Sequence, residues 1–305
     1  MSLRQLSILS RYPQFAEEVL LAQGAHSVSL VDAADDPVLE PAPGTTPLWP
    51  RTRVIGLLDD GSVAGAIVAL RATLPDGEQA VMTTAELPDE DWVRIWLRDW
   101  KPLRFDPPRG ARGRRLWVCP RAQVVRERGA VTVLLDPGLA FGTGTHPSTA
   151  LCLRWLAGTP LAGRTVLDYG CGSGLLAVAA LKLGARRAVA VDIDPQALQA
   201  TQDNARVNGV AARLTVEDAA RFRPRAFDVV VANILAQPLI ELAPRLTGCL
   251  APGGRIALAG LLDRQAAAVR AAYAGAVTFD APARRGGWTR VAGRRMRHKK
   301  IARKS

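Results

Sequence analysis

The chain has 305 residues, 48% of them apolar and 5% aromatic, enough for two domains with their own cores. No apolar run reaches the length that spans a bilayer, and the first residues lack the basic-then-apolar pattern of an export signal. The net charge of +12 is uneven, because residues 294–305 hold seven Lys or Arg and no acid, so the body is only mildly basic.

From residue 3 to about 87 the pattern predicts short strands at 5–9, 27–31, 53–58 and 80–84, with helices at 12–23 and 63–72. That alternation predicts a small α+β sandwich over residues 1–88, with a proline-rich loop at 37–47. Residues 89–102 open with Asp89, Glu90 and Asp91, suited to a helix N-terminus. Trp92, Trp96 and Trp100 then recur at i, i+4 and i+8, a stripe that predicts a linker helix packed on a neighbouring domain. An RNA stacking platform wants separated aromatics on an open sheet instead. Pro102 ends the linker, and the 109–115 stretch reads as an exposed basic loop.

A second domain is expected over 103–293. A strand at 131–135 leads into a loop rich in glycine and hydroxyls, then a helix to about residue 157 with Pro147 at its first position. The free N–H groups there, with the hydroxyls of Thr145, Ser148 and Thr149, predict a receptor for a carboxylate. Residues 166–180 follow: an apolar run ending in Asp168, then Gly170, Gly172 and Gly174, then an apolar helix from about 173. Glycines at that spacing let the backbone turn sharply and approach a ligand closely. The spacing is G-x-G-x-G, one residue shorter than the dinucleotide fingerprint. Asp168 beside it would repel a pyrophosphate, whereas it suits a ligand bearing an ammonium group and a positive sulfur. Asp192 closes the next strand, 22 residues after Gly170, where an acid can accept both ribose hydroxyls. The two acids together favour S-adenosylmethionine over a nicotinamide dinucleotide.

Beyond Asp192 the pattern predicts a helix at 195–208, a strand at 213–216 closed by Glu217 and Asp218, and a strand at 227–232 closed by Asn233. A helix at 238–249, a strand at 255–260, a helix at 263–273 and strands at 277–279 and 288–291 complete it. The result is α/β: a mostly parallel seven-stranded sheet, helices on both faces, and a late antiparallel hairpin. Ligands in such sheets lie beyond the carboxyl ends of the strands, where Asp168, Gly170, Asp192, Asp218 and Asn233 all fall. Four scattered cysteines with no C-x-x-C pair argue against a zinc site and against disulfides. Residues 294–305 read as a disordered basic tail, with weak RNA contact as a second reading.

On these residues the chain resembles the PrmA-type methyltransferases that modify the eleventh protein of the large bacterial ribosomal subunit. The matching text is Leu135-Asp-Pro-Gly-Leu-Ala-Phe-Gly-Thr-Gly-Thr-His-Pro-Ser-Thr149, Leu167-Asp-Tyr-Gly-Cys-Gly-Ser-Gly174, Asp192-Ile-Asp-Pro195 and Val231-Ala-Asn-Ile-Leu-Ala236. The resemblance implies a class I methyltransferase fold, a substrate-recognition role for the N-terminal domain, and cofactor contacts at Thr149, Gly170, Asp192 and Asn233. Reading the residues themselves adds Asp168, Gly172, Asp218 and Thr145 to the cofactor set, with no metal. The implied reaction is direct in-line methyl transfer to Lys side chains or the α-amine of that ribosomal protein, by a cytoplasmic monomer away from membranes. Asn233, which lacks the Pro-Pro-aromatic continuation found in many related enzymes, is the candidate for holding the amine, and a cofactor role alone is the alternative. Two other functions stay open at this point: a nucleic-acid methyltransferase, and a ribosome-assembly factor that binds the cofactor without turnover. A dehydrogenase ranks last on the glycine spacing.

Overall fold

The computed structural model describes residues 3–34, 48–86, 100–135 and 144–296. The proline-rich loop, the linker up to residue 99, the front of the glycine- and hydroxyl-rich loop and the chain beyond 296 lie outside the described residues. The chain divides into two compact units, residues 1–92 and 93–305.

In the first unit, β1 (Leu3–Leu9), α1 (Pro13–Ala22), β2 (Ser27–Asp32), β3 (Thr52–Asp59), α2 (Val63–Thr73) and β4 (Val81–Glu86) follow one another. The four strands form an antiparallel sheet in the order β2-β3-β1-β4. Alternation along the strands brings Leu6, Ile8, Val54 and Leu58 into one core with Leu20 of α1 and Leu70 of α2. Gly56 admits α1 closely: a Cβ there would lie 2.9 Å from Leu20 Cδ1. This is the small α+β unit that the sequence predicts.

The second unit opens with β5 (Leu103–Phe105), β6 (Leu116–Cys119) and β7 (Val131–Leu134), a small sheet in which β6 pairs antiparallel with β5 and parallel with β7. Neither β5 nor β6 is predicted from the sequence; each is short and flanked by arginines that mask the apolar signal. Trp100 packs in this unit's core and is not helical. There follow α3 (Pro147–Ala157), β8 (Thr165–Tyr169), α4 (Leu175–Lys182), β9 (Arg187–Asp192), α5 (Pro195–Val207), β10 (Leu214–Asp218) and β11 (Phe227–Asn233). Then come α6 (Ala236–Glu241), α7 (Ala243–Gly248), β12 (Leu250–Leu262), α8 (Ala266–Ala272), β13 (Val277–Phe279), β14 (Ala283–Arg285) and β15 (Trp288–Arg295).

The large sheet runs β10-β9-β8-β11-β12-β15-β13, with β14 added beside β15. Pairings from β10 to β12 are parallel and those made by β15 antiparallel. Successive residues of the central strands enter opposite cores: Val166, Ala188 and Val229 one, Leu167, Val189 and Val230 the other. Burial on both faces explains the unbroken apolar runs of β8, β9 and β11.

Three expectations need correction. The sheet has eight strands where seven are expected, because β14 pairs antiparallel with β15. The helix predicted at 238–249 is two helices that meet at Leu242, since Pro244, early in α7, has no N–H to continue the ladder. The predicted tail boundary at 294 is also too early. Arg294 pairs with Arg255 and Arg295 with Val277 within β15.

Candidate functional site

Four parallel strands present polar side chains at one end of the sheet. Asp168 is next to last in β8, and Asp192, Asp218 and Asn233 close β9, β10 and β11. Strand register sets Asp218 beside Asp192. Asp218 Oδ1 accepts the Ala220 N–H at 2.7 Å, within its own turn.

Between β8 and α4, Gly170, Gly172 and Gly174 have φ of 74°, 53° and 73°, the left-handed region that favours glycine. The N–H groups of Gly170 and Cys171 donate to the Val191 carbonyl at 2.8 and 3.0 Å, and that of Gly172 donates to Asp192 Oδ2 at 2.8 Å. A Cβ on Gly170 would stand 2.2 Å from Ile234 Cγ2, and one on Gly174 2.7 Å from the Thr201 side chain. Helix α5 holds the turn from its other side. Thr201 Oγ1 donates to the Gly172 carbonyl at 3.0 Å and Asn204 Nδ2 to the Ser173 carbonyl at 2.8 Å. One turn further, Asn208 accepts the Leu134 N–H at 2.8 Å and donates to the Leu134 carbonyl at 2.6 Å, tying α5 to β7. These three residues are not among the predicted site residues. Their signal is polar side chains at i, i+3 and i+7 on a helix face that ought to be apolar.

Asp168 is fully buried. Its Oδ2 accepts the Ala177 N–H of α4 at 2.9 Å, and its Oδ1 has no hydrogen-bond partner among the described residues. Burial pushes its carboxyl up to about 8, opposed by the Ala177 N–H and reinforced by the charge of Asp192. Asp192 is oriented by its own turn as well, Oδ1 accepting from the N–H groups of Ile193 and Asp194 at 2.8 and 3.2 Å. Oδ2, with one N–H, keeps a lone pair for a ligand hydroxyl.

Asn233 Nδ2 donates to Thr149 Oγ1 at 3.1 Å, while its Oδ1 is buried without a partner among the described residues. Thr149 is set by the first turn of α3, where Pro147 occupies an early position and His146 is the cap. His146 Nδ1 accepts the Ser148 N–H at 3.4 Å and lies 2.7 Å from Ser148 Oγ, with the Trp288 ring 4.5 Å away, edge-on. Burial lowers the His146 pKa, which keeps the imidazole neutral at neutral pH. The predicted trio of hydroxyls around a carboxylate is therefore split. Ser148 turns to His146, Thr149 to Asn233, and Thr145 is exposed ahead of the helix.

Two buried acceptors without partners, Asp168 Oδ1 and Asn233 Oδ1, call for N–H donors, and Asp192 offers an acceptor for hydroxyls. That set fits an amino-acid nucleoside such as S-adenosylmethionine. A pyrophosphate would meet two carboxylates. Among the described residues no group of three His, Cys, Asp or Glu could hold a metal ion, and no helix is long and apolar enough to cross a membrane. The four cysteines are all buried thiols.

A family model described as ribosomal protein L11 methyltransferase (PrmA) matches residues 5–296. The chain belongs to this PrmA family. The ribosomal protein L11 methyltransferase of Pseudomonas aeruginosa (strain LESB58) is 51% identical to it over 292 residues, 95% of this chain and 97% of the relative. That of Azotobacter vinelandii is 51% identical over 278 residues, 91% of this chain and 93% of the relative. A crystal structure of a ribosomal protein L11 methylase from Lactobacillus delbrueckii subsp. bulgaricus, 33% identical, aligns with a TM-score of 0.55 over 59% of this chain and 95% of that one. PrmA membership makes this chain an S-adenosylmethionine-dependent methyltransferase of class I fold, with the strand order given above.

Proposed function

We propose that the protein transfers methyl groups from S-adenosylmethionine to amino groups of ribosomal protein L11, on Lys side chains, the N-terminal α-amine or both, as a cytoplasmic monomer. Family membership across residues 5–296 carries the substrate, and the Asn233–Thr149 pair at the end of β11 carries the chemistry. Thr149, Gly170, Gly172, Asp168, Asp192 and Asp218 would hold the cofactor, with Thr145 at the rim. The bound cofactor supplies a methyl group on a positive sulfur that leaves as a neutral thioether.

The acceptor must be a neutral amine, although a free lysine has a pKa of about 10.4 and is mostly protonated at neutral pH. Neither Asn233 nor Thr149 is ionisable, so the end of β11 orients the amine after it has lost its proton to solvent. Thr149 holds the Asn233 amide through Nδ2, which leaves Oδ1 aimed and unsatisfied. A neutral amine N–H donated to that oxygen fixes the direction of the nitrogen lone pair, and positioning of this kind supplies much of the rate. With the cofactor bound, the aimed lone pair would form the C–N bond while the S–C bonding electrons would stay with the departing sulfur.

The test is transfer from labelled S-adenosylmethionine to purified L11, followed by intact mass and peptide mapping. Mass gains of one methyl at a time on Lys or the α-amine support the reading; label absent from L11 but present on RNA would sink it. In the same assay Asn233→Ala is expected to lower kcat about 10²-fold, the scale of losing one preorganised polar contact to the reacting group. Its cofactor affinity should change much less. An equal loss in both would reduce Asn233 to a cofactor ligand.

A further inference from the structure

Outside residues 101–130 and 294–305 the chain has 24 basic and 26 acidic residues, so those two stretches carry its whole positive excess. The first stretch holds nine Lys or Arg against two acids, and it builds β5, β6 and the loops up to β7. Both acids are consumed inside this lobe. Asp106 accepts from Arg104 Nε at 3.0 Å and from Arg115 Nε at 2.6 Å. Glu127 takes Arg115 Nη1 and the Trp117 Nε1–H, the latter at 2.8 Å.

The loops that carry the other arginines are pinned. Arg114 donates to the carbonyls of Gly129 and Ala130 at 3.2 and 3.3 Å, joining loop 106–115 to loop 120–130. The Arg114 N–H is bonded to the Ala157 carbonyl at the end of α3, and Thr132 Oγ1 to the Val125 carbonyl. Arg109, Arg112, Arg126 and Arg128 are exposed on these two loops and have no ion-pair partner among the described residues.

We infer that this lobe is a docking surface for the phosphate backbone of RNA. Eight of its nine cations are arginine, whose planar fork meets phosphate oxygens bidentately. An acidic protein would also meet the charge, but protein interfaces place an apolar patch at their centre. Val124 is the one large hydrophobic side chain exposed on the described lobe. The inference extends the reading above, in which the methyl acceptor belongs to a particle made of RNA and protein.

The experiment uses the full chain and a short, unstructured, labelled RNA, with affinity read by fluorescence anisotropy between about 0.05 and 0.2 M salt. One variant carries Arg109→Gln, Arg112→Gln, Arg126→Gln and Arg128→Gln; a second carries Gln at the basic positions 297–304. Four lost phosphate contacts should flatten the plot of log affinity against log salt by about 3 and weaken binding at least about tenfold. The second variant should keep most of the slope. An unchanged slope in the first variant would assign RNA binding to the tail and overturn the inference. Poly-glutamate competing as well as RNA at equal charge would overturn it in favour of an acidic protein. Methyl transfer to free L11 is measured on the same samples: the first variant should match the parent there. Failure of transfer in the parent would sink the methyl-transfer reading without touching the RNA result.

Discussion

Asp168 couples burial to protonation. One oxygen is tied to the Ala177 N–H, the other is buried and unpartnered among the described residues, and burial raises the carboxyl to about 8. A carboxyl whose folded pKa is raised contributes stability that is full below its unfolded pKa of about 3.9 and is lost as pH rises towards the folded value. The melting temperature of the ligand-free protein should therefore contain a component that declines from about pH 4 to about pH 8. Asp168→Asn should remove that component, and a slope unchanged by the substitution would mean the group is already ionised. A ligand ammonium beside Oδ1 favours the charged form, so cofactor binding at pH 7 should release up to about one proton. Calorimetry in two buffers of different ionisation enthalpy reads the release, and Asp168→Asn should abolish it. Thr149→Val tests the neighbouring pair: with the hydroxyl gone Asn233 loses its anchor and the cofactor loses one contact, so kcat should fall about tenfold and cofactor affinity should weaken, while the fold holds.

Among the elements, the glycine turn is where backbone and neighbour are most tightly matched. Gly170 and Gly163 have φ of 74° and 73°, so Ala at either meets the same left-handed penalty of roughly 1–2 kcal/mol. A Cβ at Gly163 has nothing within 4 Å, whereas at Gly170 it meets Ile234 Cγ2. Gly170→Ala should therefore lower the melting temperature more than Gly163→Ala and should alone reduce cofactor affinity, because Ile234 follows Asn233. Equal losses would mean that Ile234 yields freely. Strand β8, the turn and the polar residues that close β9, β10 and β11 are legible in the sequence, since a strand buried on both faces leaves an apolar run with a polar full stop. The strands β5 and β6 are not, being too short for periodicity to show. Nor is the hold of Thr201 and Asn204 on the turn, because a contact 29 or 31 residues away leaves no local pattern. The pairing of Thr149 with Asn233 spans 84 residues and is hidden for the same reason, although both residues are individually predicted.

At the scale of the whole molecule the charge is partitioned. Residues 1–92 hold 5 basic and 14 acidic residues, and residues 93–305 hold 35 and 14. Opposite signs on two units suit two partners. The acidic first unit would suit a lysine-bearing protein, were it to act as the substrate-recognition domain that the resemblance implies, while the basic lobe would suit RNA. Raising salt from about 0.05 to 0.3 M should then raise KM for the protein substrate and leave kcat nearly unchanged, as expected of exposed charges acting at a distance. A KM indifferent to salt would remove the first unit's acids from recognition. Within the second unit, one side chain links the surroundings of the basic lobe to the glycine turn. Asn208 closes both the N–H and the carbonyl of Leu134, so β7, which pairs with β6 of the basic lobe, is tied to the helix gripping the glycine turn. Thermodynamic reciprocity applies across that crossbar. By whatever factor RNA on the lobe shifts the cofactor's dissociation constant, the cofactor must shift RNA's by the same factor.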